Sequence, residues 1–460
     1  MSETGLTRAQ EKMRDADVSD EAIEVFTHYY RQLEEGVTGL IAEDDIAPLE
    51  DVERVADLTV DAATADDALQ KTVIIKLNGG LGTSMGMDRA KSLVPVRDGR
   101  SFLDLIVTQV LAARERTGAR LPLLWMNSFR TRADTLAALA EHPGVEVDGL
   151  PLDFLQNQEP KLRVDDLTPV AWPQEPELEW CPPGHGDVYT SMHASGIIQQ
   201  LLDAGFRYAS VSNSDNLGAA PDATLAGWFA STGAPFAMEV CRRTRADRKG
   251  GHLAVRRSDG QLILRDKAQV PDADLGAFTD HTRHRYFNTN SLWWDLEQLQ
   301  RVLDERGGVL GLPLIRNRKR VDPTDAESAE VYQIETAMGA AIEVFDHATA
   351  IEVERSRFLP VKTTNDLLVV RSDVYSVAED GRLLAEAEAP FVTLAEEYYK
   401  NHADFEERFA RGTPSLVDAV SVTVDGDWTF GSDVVLRGDV ELGPEGGVIA
   451  DGVSLGGPAE

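Results

Sequence analysis

Apolar positions recur at helical intervals near the start of the chain. Ile23, Phe26, Tyr30 and Leu33 share one face of a segment that opens at Ser19 or Asp20 and stops at Gly36. This predicts a helix there and a helical, acidic extension over residues 1–70. From residue 71 the pattern changes. Short β-rich runs at 72–77, 121–126, 206–212 and 236–242 alternate with helical stretches such as 101–116, where Leu103, Ile106, Val107 and Val110 line one face behind Ser101 and Asp104. That alternation predicts an α/β domain over 71–370, a mainly parallel sheet with helices on both faces. Sites in such folds gather at the carboxyl ends of strands. Helical, acidic character returns over 371–413, expected to be a linker. After Pro414 a six-residue period takes over: Val424, Phe430, Leu436, Leu442 and Val448, with Val422, Trp428, Val434 and Val440 two residues earlier in successive hexads. Turn residues (Gly426-Asp427, Gly431-Ser432, Gly438-Asp439) lie between, and the period predicts a small parallel β-helix over 414–460. So short a coil leans on a neighbour or on another subunit.

The segment TVIIKLNGGLGTSMGMDRAKS, residues 72–92, adds chemistry to this frame. A buried-type strand delivers the chain to a loop with Gly79, Gly80, Gly82 and Gly86, and Lys91 follows. Without Cβ atoms, consecutive amides can turn inward on an anion. The spacing is neither G-x-G-x-x-G nor G-x-x-x-x-G-K-[ST], which excludes the dinucleotide fingerprint and the P-loop. A third kind of nucleotide loop fits better.

Charge sharpens that reading. Against 78 acidic residues stand 45 cations, a formal charge of −33, so nucleic acid and anionic membranes are not expected partners. The run Arg316-Asn317-Arg318-Lys319-Arg320 is then expected to be a surface loop. Lysines are few, and Lys91, Lys249 and Lys362 stand out because they sit in loops rich in glycine or threonine. Cys181 and Cys241 alone give no disulfide framework or metal knuckle. The amino-terminal stretch is polar and acidic, and no apolar run approaches the roughly 20 residues a membrane helix needs, so a cytoplasmic protein is expected.

Eight motifs then occur in order: KLNGGLGTSMG (76–86), MNSF (126–129), PPGHGD (182–187), SNSDNLGA (212–219), TRADRKGG (244–251), FNTNSLW (287–293), QIETAMGAAI (333–342) and RFLPVKTTNDLL (357–368). Over roughly 70–440 the chain resembles the eukaryotic-type UTP–glucose-1-phosphate uridylyltransferases, or UDP-glucose pyrophosphorylases. The resemblance implies a central mixed, mainly parallel Rossmann-like nucleotidyltransferase (GT-A-like) sheet and a left-handed C-terminal parallel β-helix, through which a homo-oligomer could form. It implies UTP and glucose 1-phosphate as substrates, UDP-glucose and pyrophosphate as products, and Mg²⁺ as cofactor. One departure is Ala90-Lys91-Ser92, where the family usually has Pro-Lys-Ser.

Such a reaction needs no general base, because a sugar phosphate with its second pKa of about 6 is already a dianion at neutral pH. Positioning and fixed positive charge must supply the rate. Asp215 follows a strand candidate, where a lone carboxylate can hold Mg²⁺. By resemblance it is the metal ligand, with Lys91 and Lys362 as the catalytic, phosphate-contacting lysines. The resemblance further implies nucleotide contacts from Leu77, Asn78, Gly79, Gly80, Met126, Gln156 and the amide of Gly184. Sugar-phosphate contacts are implied for His185, Asn213, Gly250, Gly251 and Asn290. Trp293 and Trp294 are expected to be core. The alternatives are a UDP-N-acetylhexosamine or broad UDP-sugar pyrophosphorylase, and a nucleotide-sugar-binding regulator without turnover.

Overall fold

A computed structural model describes residues 3–82, 85–244, 247, 250–325 and 327–457. Its largest sheet is mixed and has eleven strands. The main path runs Glu53–Arg54, Thr349–Glu352, Phe236–Arg242, Tyr286–Asp295, Tyr208–Asn213, Thr72–Asn78, Leu123–Asn127 and Asp153–Leu155. Neighbours on this path are parallel, except that Tyr286–Asp295 runs antiparallel to both strands beside it. Ile46–Pro48, His252–Arg256 and Leu262–Arg265 join at one side.

Thr72–Asn78 is buried along its whole length, which a parallel strand covered on both faces requires. Its pleat feeds two cores. Val73, Ile75 and Leu77 enter one with Leu124 and Met126, while Ile74 enters the other with Leu123 and Trp125. Helix Phe102–Thr117 packs on the second face, opened by a Ser101/Asp104 capping box and closed by Gly118 at φ 69°. Trp293 and Trp294 are each 1% exposed and enter opposite cores. Helix Asp20–Glu34 begins at Ser19, whose Oγ accepts from the Ala22 amide at 3.2 Å.

Two stretches expected to be helical also hold strands. Within 1–70, Ile46–Pro48 and Glu53–Arg54 join the main sheet beside helices Glu3–Asp15, Asp20–Glu34 and Ala62–Gln70. Two- and three-residue strands carry no period of their own and exist because residues 252–256 and 349–352 offer them partners. Within 371–413, helices Glu396–Tyr399 and His402–Arg408 follow a Tyr375–Val377/Leu383–Ala385 hairpin and the strand Phe391–Leu394. That last strand already belongs to the tail, pairing Val392 with Val422 and Leu394 with Val424. The basic run is not a loop. Ile315–Arg320 is an exposed edge strand beside Glu330–Glu335, and charge on such an edge deters further pairing.

In the tail, Phe391–Leu394, Ser415–Val424, Val435–Leu442 and Ser454–Gly456 form one parallel sheet, and Trp428–Phe430 with Gly447–Ile449 a second. Val422, Val424, Phe430, Val434, Leu436 and Val440 are buried as the hexads require. Val448 is not: it is 77% exposed, and Ile449 faces inward instead. Val424 pairs with Leu442 three hexads on, whereas Phe430 pairs with Ile449 three hexads and one residue on. The extra residue enters at Gly446-Gly447, whose φ values of 67° and 147° suit glycine.

Candidate active site

The glycine loop leaves the sheet at Asn78. The Asn78 amide donates to Asn127 Oδ1 at 2.9 Å and to Thr135 Oγ1 at 2.8 Å, and its oxygen accepts from Ser214 Oγ at 3.2 Å. Asn78 and Met126 are 2% and 1% exposed, and Leu77 lies in the core. Gly79 lies under Gln156, where a Cβ would come within 2.3 Å of the amide oxygen. Among the described residues no atom lies within 4 Å of where a Gly80 Cβ would sit. Leu81 and Ala90 form an antiparallel bridge, with Gly82 N–H donating to Arg89 O and Lys91 N–H to Gly80 O. The chain thus returns Lys91 to the loop's start. Ala90 has φ −55°, within the range a proline would fix, and its N–H takes no part in the two bridge bonds.

Lys91, Asp215 and Lys362 meet at the carboxyl end of the sheet. Lys91 Nζ lies 2.8 Å from Asp215 Oδ2, and Lys362 Nζ lies 3.1 and 2.9 Å from the two carboxylate oxygens. Burial pulls the Asp215 pKa upward, but the charges of Lys362 and then Lys91, with their hydrogen bonds, hold it below the ordinary carboxylate value. The carboxylate is therefore ionised, with both oxygens held by ammonium groups. Two ammonium groups against one carboxylate leave the trio net positive inside a strongly acidic chain. Lys362 is carried there by the backbone: Val361 N–H donates to Asp215 O at 3.1 Å, and Asn216 bridges Pro360. Thr363 then caps the helix Thr364–Arg371.

Gln156 and His185 occupy the neighbouring wall. Gln156 Nε2 donates to Gly184 O at 3.0 Å. Gly184 needs to be glycine, with φ 81° and a hypothetical Cβ 2.5 Å from Thr336 O. The Met338 amide donates to His185 Nδ1 at 3.0 Å. In the neutral ring the proton therefore sits on Nε2, ready to donate. Burial, with some help from Lys362, lowers this histidine's pKa to about 4, so it is uncharged at neutral pH and its Nδ1 lone pair is already engaged.

The same QIETAMG segment reaches the remaining candidates. A Cβ on Gly339 would lie 2.9 Å from Asn288 Nδ2, and Asn288 N–H donates to Gly251 O at 3.0 Å. Asn290 sits at φ 56°, in a bulge opposite Glu239 and Val240, exchanging hydrogen bonds of 2.7 and 2.8 Å with Asn288. A Cβ on Gly251 would fall 2.1 Å from Asp266 Oδ1, so that carboxylate would have to shift to admit a side chain. Gly250 turns back on Asp247. Asn213 ends the strand Tyr208–Asn213, half-buried. Lys249 lies outside the described residues.

Three supporting groups were not singled out from sequence. Asn216 Oδ1 accepts from the Gly218 and Leu359 amides, and its Nδ2 donates to Arg357 O. Arg357 in turn grips Glu239 with both Nε and Nη2, at 2.7 and 3.0 Å. Lys76 is buried mid-strand. A charge at a core position of an apolar run was the available signal for Lys76; Glu239 and Arg357 gave none.

A family profile described as UTP–glucose-1-phosphate uridylyltransferase matches residues 23–437. The UTP–glucose-1-phosphate uridylyltransferase of Solanum tuberosum is 40% identical over 412 residues, covering 88% of this chain and 84% of the potato protein. A probable enzyme of that name from Schizosaccharomyces pombe is 36% identical over 423 residues, covering 90% of this chain and 82% of its own. The crystal structure of a mutant UDP-glucose pyrophosphorylase from Leishmania major, in complex with UDP-glucose, is 42% identical. It superposes with a TM-score of 0.92 over 99% of this chain and 98% of its own. The chain belongs to the UTP–glucose-1-phosphate uridylyltransferase family.

Proposed function

We propose that this chain catalyses UTP + glucose 1-phosphate ⇌ UDP-glucose + pyrophosphate, by in-line attack of the sugar phosphate on the α-phosphorus of UTP. The observation that carries the reading is the Lys91–Asp215–Lys362 trio beside the glycine loop. A phosphate oxygen forms the new P–O bond, the bond to the β-phosphate breaks, and its electron pair leaves with pyrophosphate. No proton moves, because the nucleophile is already dianionic. This suits a cleft whose histidine is neutral and engaged at Nδ1. The lysines are mobile point charges that can exchange Asp215 for incoming phosphates.

Among the described residues no three metal-ligating side chains cluster. A single ionised carboxylate fits Mg²⁺, which is commonly held by one or two carboxylates, substrate phosphates and water. Asp215 would hold the ion, which would supply charge neutralisation across the phosphates. Gln156 and the Gly184 amide face the uracil, and His185 Nε2–H, Asn213, Gly250, Gly251 and Asn290 face the sugar phosphate. Glucose is favoured over N-acetylhexosamines by the names of the relatives and by the UDP-glucose in the Leishmania complex. A regulator without turnover has no use for charge that supports a leaving group. We read the hexad tail as a left-handed parallel β-helix able to mediate self-association, and the chain as cytoplasmic. Among the described residues no helix is long and apolar enough to cross a membrane.

A pyrophosphate-release assay over a panel of nucleoside triphosphates and sugar 1-phosphates, with and without Mg²⁺, tests the proposal. UTP with glucose 1-phosphate should lead, and chelation should abolish turnover. A silent panel with UDP-glucose still bound would favour the regulator.

A further inference from the structure

Lys76 is 1% exposed in the middle of the central strand, among residues that feed the two apolar cores. Its Nζ lies 2.7 Å from Ser212 Oγ and 2.9 Å from Ala219 O. Those residues are the two ends of the SNSDNLGA segment that carries Asn213 and Asp215. One amine therefore closes the turn from beneath. Among the described residues it makes no salt bridge, so its burial carries a desolvation cost that an apolar side chain would avoid. Arg357 supports the same turn, with Nη1 3.3 Å from Ala220 O and its fork on Glu239. The segment from Arg357 then leads to Lys362.

We propose that Lys76 is a positioning residue for nucleotidyl transfer: through Ser212 and Ala219 it fixes the Asp215 carboxylate against Lys91 and Lys362, and so sets divalent-cation affinity and turnover without touching substrate. This rests on the function proposed above. Burial, reinforced by Arg357, lowers the Lys76 pKa to about 7. The hold survives either protonation state, since a neutral amine still donates to Ala219 O and can accept from the Ser212 hydroxyl.

The test uses the full chain as wild type, Lys76→Met and Ser212→Ala. It measures kcat, the Mg²⁺ concentration for half-activation, UDP-glucose affinity in EDTA, and Tm. For Lys76→Met, kcat should fall about 10-fold or more and half-activating Mg²⁺ should rise several-fold, as for losses behind a metal ligand. Metal-free UDP-glucose affinity should stay within about two-fold. Ser212→Ala should show the same split at smaller amplitude, and it decides the matter if Lys76→Met does not fold. Unchanged kcat and Mg²⁺ dependence would overturn the proposal. So would an equal loss of metal-free UDP-glucose affinity, which signals general collapse. A wild-type chain silent with UTP and glucose 1-phosphate would instead overturn the parent reading.

Discussion

The cleft and the C-terminal tail are held together by opposite means. In the tail, buried Val422, Val424, Phe430, Leu436 and Val440 repeat at short intervals, and Ser415–Val424 pairs in parallel with Val435–Leu442. In the cleft the ordering contacts are polar and span great sequence distance: Lys91 and Lys362 reach Asp215 from 124 and 147 residues away, and Lys76 reaches Ser212 across 136. The tail's order depends on apolar area, which is forgiving and local. The site's depends on charged and polar groups, with Asp215 and Lys91 largely buried and the Lys362 side chain 54% exposed. Substitutions should therefore separate cleanly, with cleft variants losing turnover and tail variants losing stability.

The largest effect is expected at Asp215. Asp215→Ala should lower kcat by about 10³-fold, the upper range for removing one preorganised electrostatic group, read by single-turnover pyrophosphate release. Lys362→Ala should follow at about 10²-fold in kcat; a change confined to KM would make that lysine a binding group only. Leu436, buried in the coil, gives the contrast. Leu436→Ala should cost about 2–5 kcal/mol of stability in denaturant titration while kcat of the folded fraction is unchanged. A matching loss of kcat would show that the two regions are coupled.

His185 sharpens the comparison through pH. Its folded pKa of about 4 lies below the usual 6.5, so between those values the unfolded chain binds more protons. Stability should therefore fall as pH drops from 6.5 toward 4. His252 and His284, both buried and both lowered, act in the same direction. Turnover, by contrast, should show no imidazole step near the ordinary histidine value of about 6.5. The smallest effect belongs to Ala90→Pro. The backbone already holds a proline-like φ there, so a gain of about 0.4–1 kcal/mol is expected in thermal unfolding.

The two regions also differed in how much the sequence revealed. The alternation of strands and helices was legible because Thr72–Asn78 and Phe102–Thr117 carry strong patterns, and the hexads named most of the tail's inward positions. Val448 misled because one inserted residue at Gly446-Gly447 shifts the register, and a glycine pair does not announce which side of it slips. The strands at 46–48, 53–54 and 391–394 are set by distant partners and had no local signature. In the cleft, motifs and glycine density pointed to Lys91, Asp215, Lys362 and Gly184. Met126 and Asn78 were named with them, yet their side chains are consumed by the core and by a buried hydrogen-bond network. Arg357 and Glu239 were invisible, since a buried ion pair looks like any other arginine and glutamate until the fold brings them together.

The proposed transfer runs on fixed charge at Asp215, Lys91 and Lys362, with no proton-abstracting base. The most direct measurement is a crystal structure of the full chain with UDP-glucose and Mg²⁺. An Asp215 oxygen should lie about 2.1 Å from a metal ion that also binds the diphosphate, with Lys362 Nζ moved to hydrogen-bond a phosphate oxygen. A diphosphate lying beyond reach of both residues, or an imidazole nitrogen bonded to the attacking oxygen, would contradict it.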